Sequence, residues 1–450
     1  MFRLLHTKRK TMNLATAFFL CVQMAAAVSL YAQMSFLDNR TIKIGVDLDK
    51  GGVITFLADS NNLINVVNTH DMGRMIQQSY YSGPSPFGKP HPAYPKWGWN
   101  PVGAGDVNGF TSRVVSHSND GQKIYVKTIP MQWALHNVPS ECTFEQWIEL
   151  NGNVAKVRCR LNNARTDGTT QYPGSDQELP AVYTDGRLYR LFSYTGSEPF
   201  TNAPLTQIKN SGPPWAYFNA TENWSALVQD NDWGLGVFTP GAQFTIGGFH
   251  NAPGGNPTGY ISPLHKEIID YNIAYTYEYY LILGHLSDIR GFVYQHRAAN
   301  LPDYHFSSDR QHFIYENASD TGWPITGKLR VYLDQADPII YAPVGLWKAA
   351  DVPALYVRAA YHSANTEAKI YWKNFGDANF TEAKSMSFGI ISDCRYRNYV
   401  VNLAMSPNYT GVITQIRFDP VGAGAAGNSV DIEALTCEPK RLNSSGDTDH

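Results

Sequence analysis

The residue types suited to chemistry collect in a few stretches of this 450-residue chain. His70-Asp71-Met72-Gly73-Arg74 follows the apolar run Leu63 to Val67, which predicts a strand end or loop. Arg74 offers a planar fork for a carboxylate or for sugar hydroxyls, and Asp71 can accept from hydroxyls or orient Arg74. The same two residues also read as an ion pair closing a turn. Gln77, Gln78, Tyr80 and Tyr81 come next, amides beside aromatic faces, which suit the gripping of pyranose rings and suit a strand core equally well. We take His70, Asp71, Arg74, Gln77 and Tyr80 as the candidate substrate-binding set.

Glu178 is the leading candidate for acid/base work, with Asp176 two residues before it, since paired carboxylates divide such roles when their surroundings separate their proton affinities. Two solvated loop carboxylates are the plainer alternative. Glu222, just before Trp224, has the same ambiguity. Among the histidines, His250 in a Gly-rich loop and His285 after an apolar strand join Glu178 as catalytic candidates, although either also reads as a structural histidine. Arg74 and Glu178 are expected to share one concavity.

Other chemistries lack their signatures. There is no H-E-x-x-H, no Cys-His cluster of zinc spacing and no complete EF-hand loop, so neither a metal nor a cofactor is called; Asp47 and Asp49 before Gly51-Gly52 are the weak calcium candidate. No nucleophile elbow, P-loop or dinucleotide fingerprint occurs, which sets aside serine hydrolase and nucleotide chemistry.

The elements that must position these residues are β-strands. Charged residues make up only 17% of the chain and aromatics 13%, with 37 Gly and 26 Pro, which argues against disorder and coiled coil. Short alternating runs, Thr41 to Asp47, Gly52 to Leu57, Lys123 to Ile129 and Val154 to Leu161, are bounded by turn formers and predict an all-β sandwich or barrel with few, short helices. Beyond residues 300 to 325 seven more strand candidates crowd into the C-terminal part, the pattern of a second β-sandwich. We expect a large antiparallel β domain over 34–303, a smaller β-sandwich over 304–440 and a polar tail over 441–450.

Three N-terminal segments, IKIGVDLDKGGVITFL, NLINVVNTHDMGRMIQQSYY and ENWSALVQDNDWGLGVFTP, resemble the galactose-mutarotase-like supersandwich, a superfamily of aldose epimerases and domains of glycan hydrolases and lyases. The resemblance covers roughly residues 40 to 300. It implies a His acid and a carboxylate base around an anomeric carbon, but no His-Pro-Tyr-Phe-Asn-type segment is present to carry the histidine over. The C-terminal segments IYWKNFGDANFTEAKSMSFGIISD, NYVVNLAMSPNYTGVITQIRFDP and VDIEAL look like a galactose-binding-like jelly roll, which implies an accessory module and not by itself sugar binding.

Residues 1–33 carry Arg3, Lys8, Arg9 and Lys10, an apolar run from Leu14 to Leu30, and small residues near Ala32, the order of a secretory signal peptide. Taking those four from 36 basic residues leaves 32 against 39 acidic ones, which disfavours a nucleic-acid partner; no later segment is apolar enough to span a membrane. Secretion in turn suggests that Cys142 pairs with Cys159 and Cys394 with Cys437, four free thiols being the alternative. Glycan acceptor sequences stand at Asn39, Asn219, Asn223, Asn317, Asn379, Asn408 and Asn443. The expected function is recognition of an extracellular oligo- or polysaccharide, with acid/base chemistry as hydrolase, lyase or epimerase; the alternative is a non-catalytic extracellular-matrix or surface protein.

Overall fold

The computed structural model describes residues 33–168, 171–297 and 301–438. All of the signal sequence except Gln33, the tail over 441–450 and Asn443 lie outside the described residues.

Alternation of side chains decides the layers. Along Val154–Asn162 the inward positions are buried and most outward ones are not, which sets one face of the strand in the core. Its partner Thr143–Asn151 does the same, and the two meet at Asn151 and Val154 across a two-residue loop. Gly152 turns that loop with φ 54°; an added Cβ would have nothing within 4 Å, so backbone conformation rather than space favours glycine there.

Repetition of this unit gives two antiparallel sheets, of ten and nine strands. Ile44, Ile76, Val182 and Ile261 from the first meet Ile148, Val157 and Leu281 from the second in one core. Each such side chain contributes on the order of 1.5–3 kcal/mol when buried. The single α-helix among the described residues, Leu286–His296, lays Ile289 and Val293 on the back of the nine-stranded sheet beside Trp224 and Phe238. A second sandwich of two six-stranded sheets follows, closed around Trp372, Tyr361 and Phe418. The strands Leu329–Tyr332, Leu355–His362, Glu367–Asn374, Ser385–Gly389, Arg397–Val401, Val412–Asp419 and Ser429–Thr436 answer the seven C-terminal candidates one for one.

The connection between the sandwiches belongs to both. Asp303–His305 pairs with Ser429–Thr436, yet the next residues lean back on the first sandwich. Arg310 meets Asp270 at 2.5 Å and Asp320 at 2.7 Å, Gln171 donates to Asp320 at 2.7 Å, and Trp323 packs against the first core.

The cysteines correct the expected disulfides: Cys142, Cys159, Cys394 and Cys437 are all free. Cys159 lies opposite Gln146, so Cys142 is four residues further along that neighbouring stretch, about 13 Å at strand spacing and well past the ~7 Å a disulfide can bridge. Cys394 donates its N–H to Tyr361, whereas Cys437 follows Thr436, the partner of Tyr356. Tyr356 and Tyr361 are five residues apart on one strand, about 17 Å. Burial pushes the Cys142 and Cys159 thiols up to about 12.

Candidate functional site

The strand Ser175–Asp185 lies between Ile76–Ser79 and Thr258–Glu267 in the ten-stranded sheet. Glu178 is opposite Leu264 and Val182 opposite Ile261, so four steps on one strand match three on the other. That bulge inserts one residue and reverses the inside–outside alternation beyond it. As a result Glu178 and Tyr183, which an unbroken strand would send to opposite faces, project from the same one. Tyr183 is opposite Tyr260, and Glu178 is opposite Ser79 on the other side.

Among the described residues, Glu178 is held by hydroxyls alone. Tyr81 Oη donates to Oε2 at 3.1 Å, Tyr260 Oη donates to Oε1, and Ser79 donates as well. No cation among the described residues bonds to this carboxyl. Burial raises its proton affinity above the ordinary carboxylate range, and the bonds from Tyr260, Ser79 and Tyr81 pull the other way without cancelling the rise.

Aromatic rings surround it. Tyr183 stacks on Tyr260 at 4.5 Å, and Trp215, from the loop after Ile208, lies on the far side of Tyr260 at 5.2 Å. Tyr81 neighbours Trp97 at 6.5 Å, which meets Tyr94 at 5.1 Å, and Tyr94 meets Trp133 at 6.3 Å. The Asp71–Arg74 turn presses on Trp133, since a Cβ at Gly73 would fall 2.7 Å from that ring. Burial drives the Tyr183 hydroxyl up, and the charges of Glu178 and Asp71 add to the rise while Arg74 opposes it. Tyr183 thus sits within the electrostatic reach of both Glu178 and the Asp71–Arg74 turn.

Of the residues picked from sequence, Glu178, Asp71 and Arg74 belong to this neighbourhood. Asp71 accepts from Gly73 N at 2.9 Å and faces Arg74 Nε at 3.3 Å, and Arg74 Nη1 donates to Asn256 O at 2.9 Å. The turn-closing ion pair is therefore present, with its guanidinium half-buried. His70 is exposed, and its backbone N–H is bound by Asn68. His250 lies two residues past Gly248, the partner of Tyr260, and so shares the face of Tyr260; its Nδ1 is 3.4 Å from Ser211 O, in the loop that carries Trp215.

Three of the picks fall elsewhere. Tyr80 is fully buried in the core against Phe144, its hydroxyl donating to Gln78; the neighbour one residue on, Tyr81, is the one that reaches Glu178. Gln77 is buried too, its amide holding Met72 O, Arg74 O and Ala104 N, so it shapes the turn and presents nothing outward. His285 is at the end of a strand in the other sheet, where it precedes the helix and faces Asn231 O at 3.1 Å. Asp176 is exposed. Asp47 and Asp49 cap the Leu48–Lys50 turn and its neighbours. Asn223 is 6% exposed and gives a glycan no room.

Glu222 belongs to a different corner. It is fully buried and receives Arg290 in a fork at 2.8 and 3.1 Å, Tyr294 at 2.8 Å, Trp224 Nε1 at 3.0 Å and Phe200 N at 2.8 Å. A cavity of about 450 Å³ adjoins Arg290 and Tyr294, and another of about 480 Å³ in the second sandwich is lined by apolar groups with one charged residue, Lys348.

No protein-family profile matches the sequence, and no curated protein does. Solved structures do match. A galactose mutarotase related enzyme from Lactobacillus acidophilus is 13% identical over 56% of this chain and 97% of its own, with a TM-score of 0.39. A galactose mutarotase-like protein from Lactobacillus casei is 11% identical over 56% and 99%, at 0.38, and an alpha-galactosidase from Geobacillus stearothermophilus 9% identical over 56% and 40%, at 0.36. Each of these likenesses spans a little over half of this chain.

Proposed function

We propose that this protein binds a saccharide against the aromatic face around Glu178, and that Glu178 transfers a proton to or from it. The observation that carries the reading is a carboxyl with raised proton affinity, held by three hydroxyls and by no cation among the described residues, beside rings that can stack on a sugar. Such a carboxyl can give a proton to a glycosidic or ring oxygen, or take one from carbon or water, near the pH at which it titrates. Tyr81 and Tyr260 fix its orientation. Arg74, at the rim, supplies the positive charge for a hydroxyl-rich or anionic sugar. His250, on the same face, is the second candidate for proton transfer. Hydrolase, lyase and epimerase chemistry all use these parts.

The test pairs glycan-array binding with reducing-end, unsaturated-product and anomer-exchange assays on the glycans retained. Glu178→Gln should keep binding and lose turnover. Unchanged turnover would refute the acid/base role, and no retained glycan would refute the saccharide. The basic-then-apolar N-terminal segment further supports export, which N-terminal sequencing of the protein from its native host would check.

A further inference from the structure

We propose that His265, Glu267 and His312 form a site for one zinc-class divalent ion, which clamps the segment joining the two sandwiches onto the first of them. The proposal does not depend on the role of Glu178.

The geometry comes from three separate features. His265 and Glu267 are two residues apart on the strand Thr258–Glu267, so both project from one face. His312 comes from the connecting segment, 45 residues beyond Glu267, and its Nδ1 contacts Glu267 Oε1. The two imidazoles stack with centroids 4.8 Å apart, and the three donor atoms all lie within 4.8 Å of one another. Ligands of a tetrahedral zinc with bonds near 2.0–2.1 Å stand about 3.3 Å apart, so closure needs only modest side-chain rotation.

Two of the donors also have capacity to spare. The imidazole of half-buried His265 makes no hydrogen bond to any described residue, an unusual state for a ring away from bulk water. Glu267 is 6% exposed; Tyr275 Oη donates to its Oε1 at 2.9 Å, and Oε2 accepts from no described residue. A carboxylate steadied by one tyrosine with one oxygen left open has the supporting contact typical of a metal ligand. Gln311 and His312 both have left-handed backbones, φ 52° and 64°, so the chain adopts an uncommon conformation where it delivers His312 to His265.

The donor set selects the ion. Two imidazoles and one carboxylate suit zinc and its neighbours, whereas calcium and magnesium call for oxygen ligands throughout. Two ligands come from the first sandwich and the third from a segment that also anchors through Arg310 to Asp270, so the ion would tie the connection down at a second point.

The full-length protein, stripped with chelator and dialysed, is titrated with zinc, cobalt or calcium while bound metal per chain, melting temperature and visible absorption are read. We expect one zinc per chain, a rise in melting temperature on the order of 3–6 °C at a hundredfold excess over Kd, the visible bands of low-coordinate cobalt, and no response to calcium. His312→Gln, at an exposed position expected to fold normally, should weaken zinc binding at least tenfold and abolish the shift. His265→Ala should do the same, and His136→Gln, remote and exposed, should change nothing. No zinc bound by the parent protein would overturn the site, as would zinc bound equally well by the His312→Gln variant.

Discussion

Two carboxylates of the first sandwich, fully buried Glu222 and half-buried Glu178, meet opposite surroundings. Glu222 is enclosed by a cation and three further donors, and its charge is neutralised in place by Arg290. Glu178 is enclosed by hydroxyls, which orient it without fixing its charge. Burial alone therefore does not mark a reactive acid. What distinguishes the second site is the absence of a counter-ion among the described residues, which leaves the proton as the means of avoiding an isolated, partly desolvated charge.

The comparison can be broken most directly at Glu178. Glu178→Gln should lower turnover by about 10²–10⁴-fold with the melting temperature nearly unchanged, as steady-state kinetics and calorimetry on one preparation would show. Arg290→Ala should do the reverse: it strands Glu222 in the core and should cost about 3–5 kcal/mol of stability by denaturant unfolding, with little effect on sugar binding by the folded fraction. Equal destabilisation by the two variants would erase the distinction.

The pH dependence sharpens the same contrast. The folded state holds the Glu178 proton more tightly than the unfolded chain, whose carboxyl has the ordinary value of 4.5. Its contribution to stability is complete below that value and disappears as pH rises through the higher folded value. Stability measured across this window should fall with pH in the parent and flatten in Glu178→Gln, and the corresponding limb of the kcat/KM profile should vanish. A smaller effect is expected from Tyr260→Phe, about 1 kcal/mol from one lost hydrogen bond, together with a further rise in the proton affinity of Glu178 that would move the pH profile upward. The smallest concerns the thiols: Cys142 and Cys159 should resist alkylation in the folded protein while exposed Cys394 reacts, by mass spectrometry of labelled peptides.

Strands proved easier to foresee than the side chains that face one another across them. Lys123 to Ile129 is a strand as its alternation predicts, and Val154 to Leu161 is extended by a single residue, because period-two patterning is local information. The site depends on register. Tyr80 and Tyr81 are equivalent by composition, and only the pairing of Ser79 with Glu178 decides which of them meets the carboxyl. Tyr183 and Tyr260 could not be joined to Glu178 from sequence: Pro180 inside the run marks a break in the ladder, but neither the direction of the register shift nor the neighbouring strands can be read from it. His265, Glu267 and His312 were missed for a related reason: their spacing belongs to no contiguous motif, and a turn after the first sandwich brings the third donor in.

The extra residue between Glu178 and Val182 has a consequence for how such a protein can change over time. It works as a phase shift, assigning every side chain on one half of the strand to a face of the sheet without altering any of them. Deleting one residue there would turn the carboxyl away from its tyrosines, while most of the hydrophobic sequence stayed as it was. A lineage could therefore lose this arrangement, or acquire it, through a single in-frame codon deletion or insertion. Relatives that kept every tyrosine but lacked the extra position would be expected to share the scaffold and none of the proton transfer proposed for it.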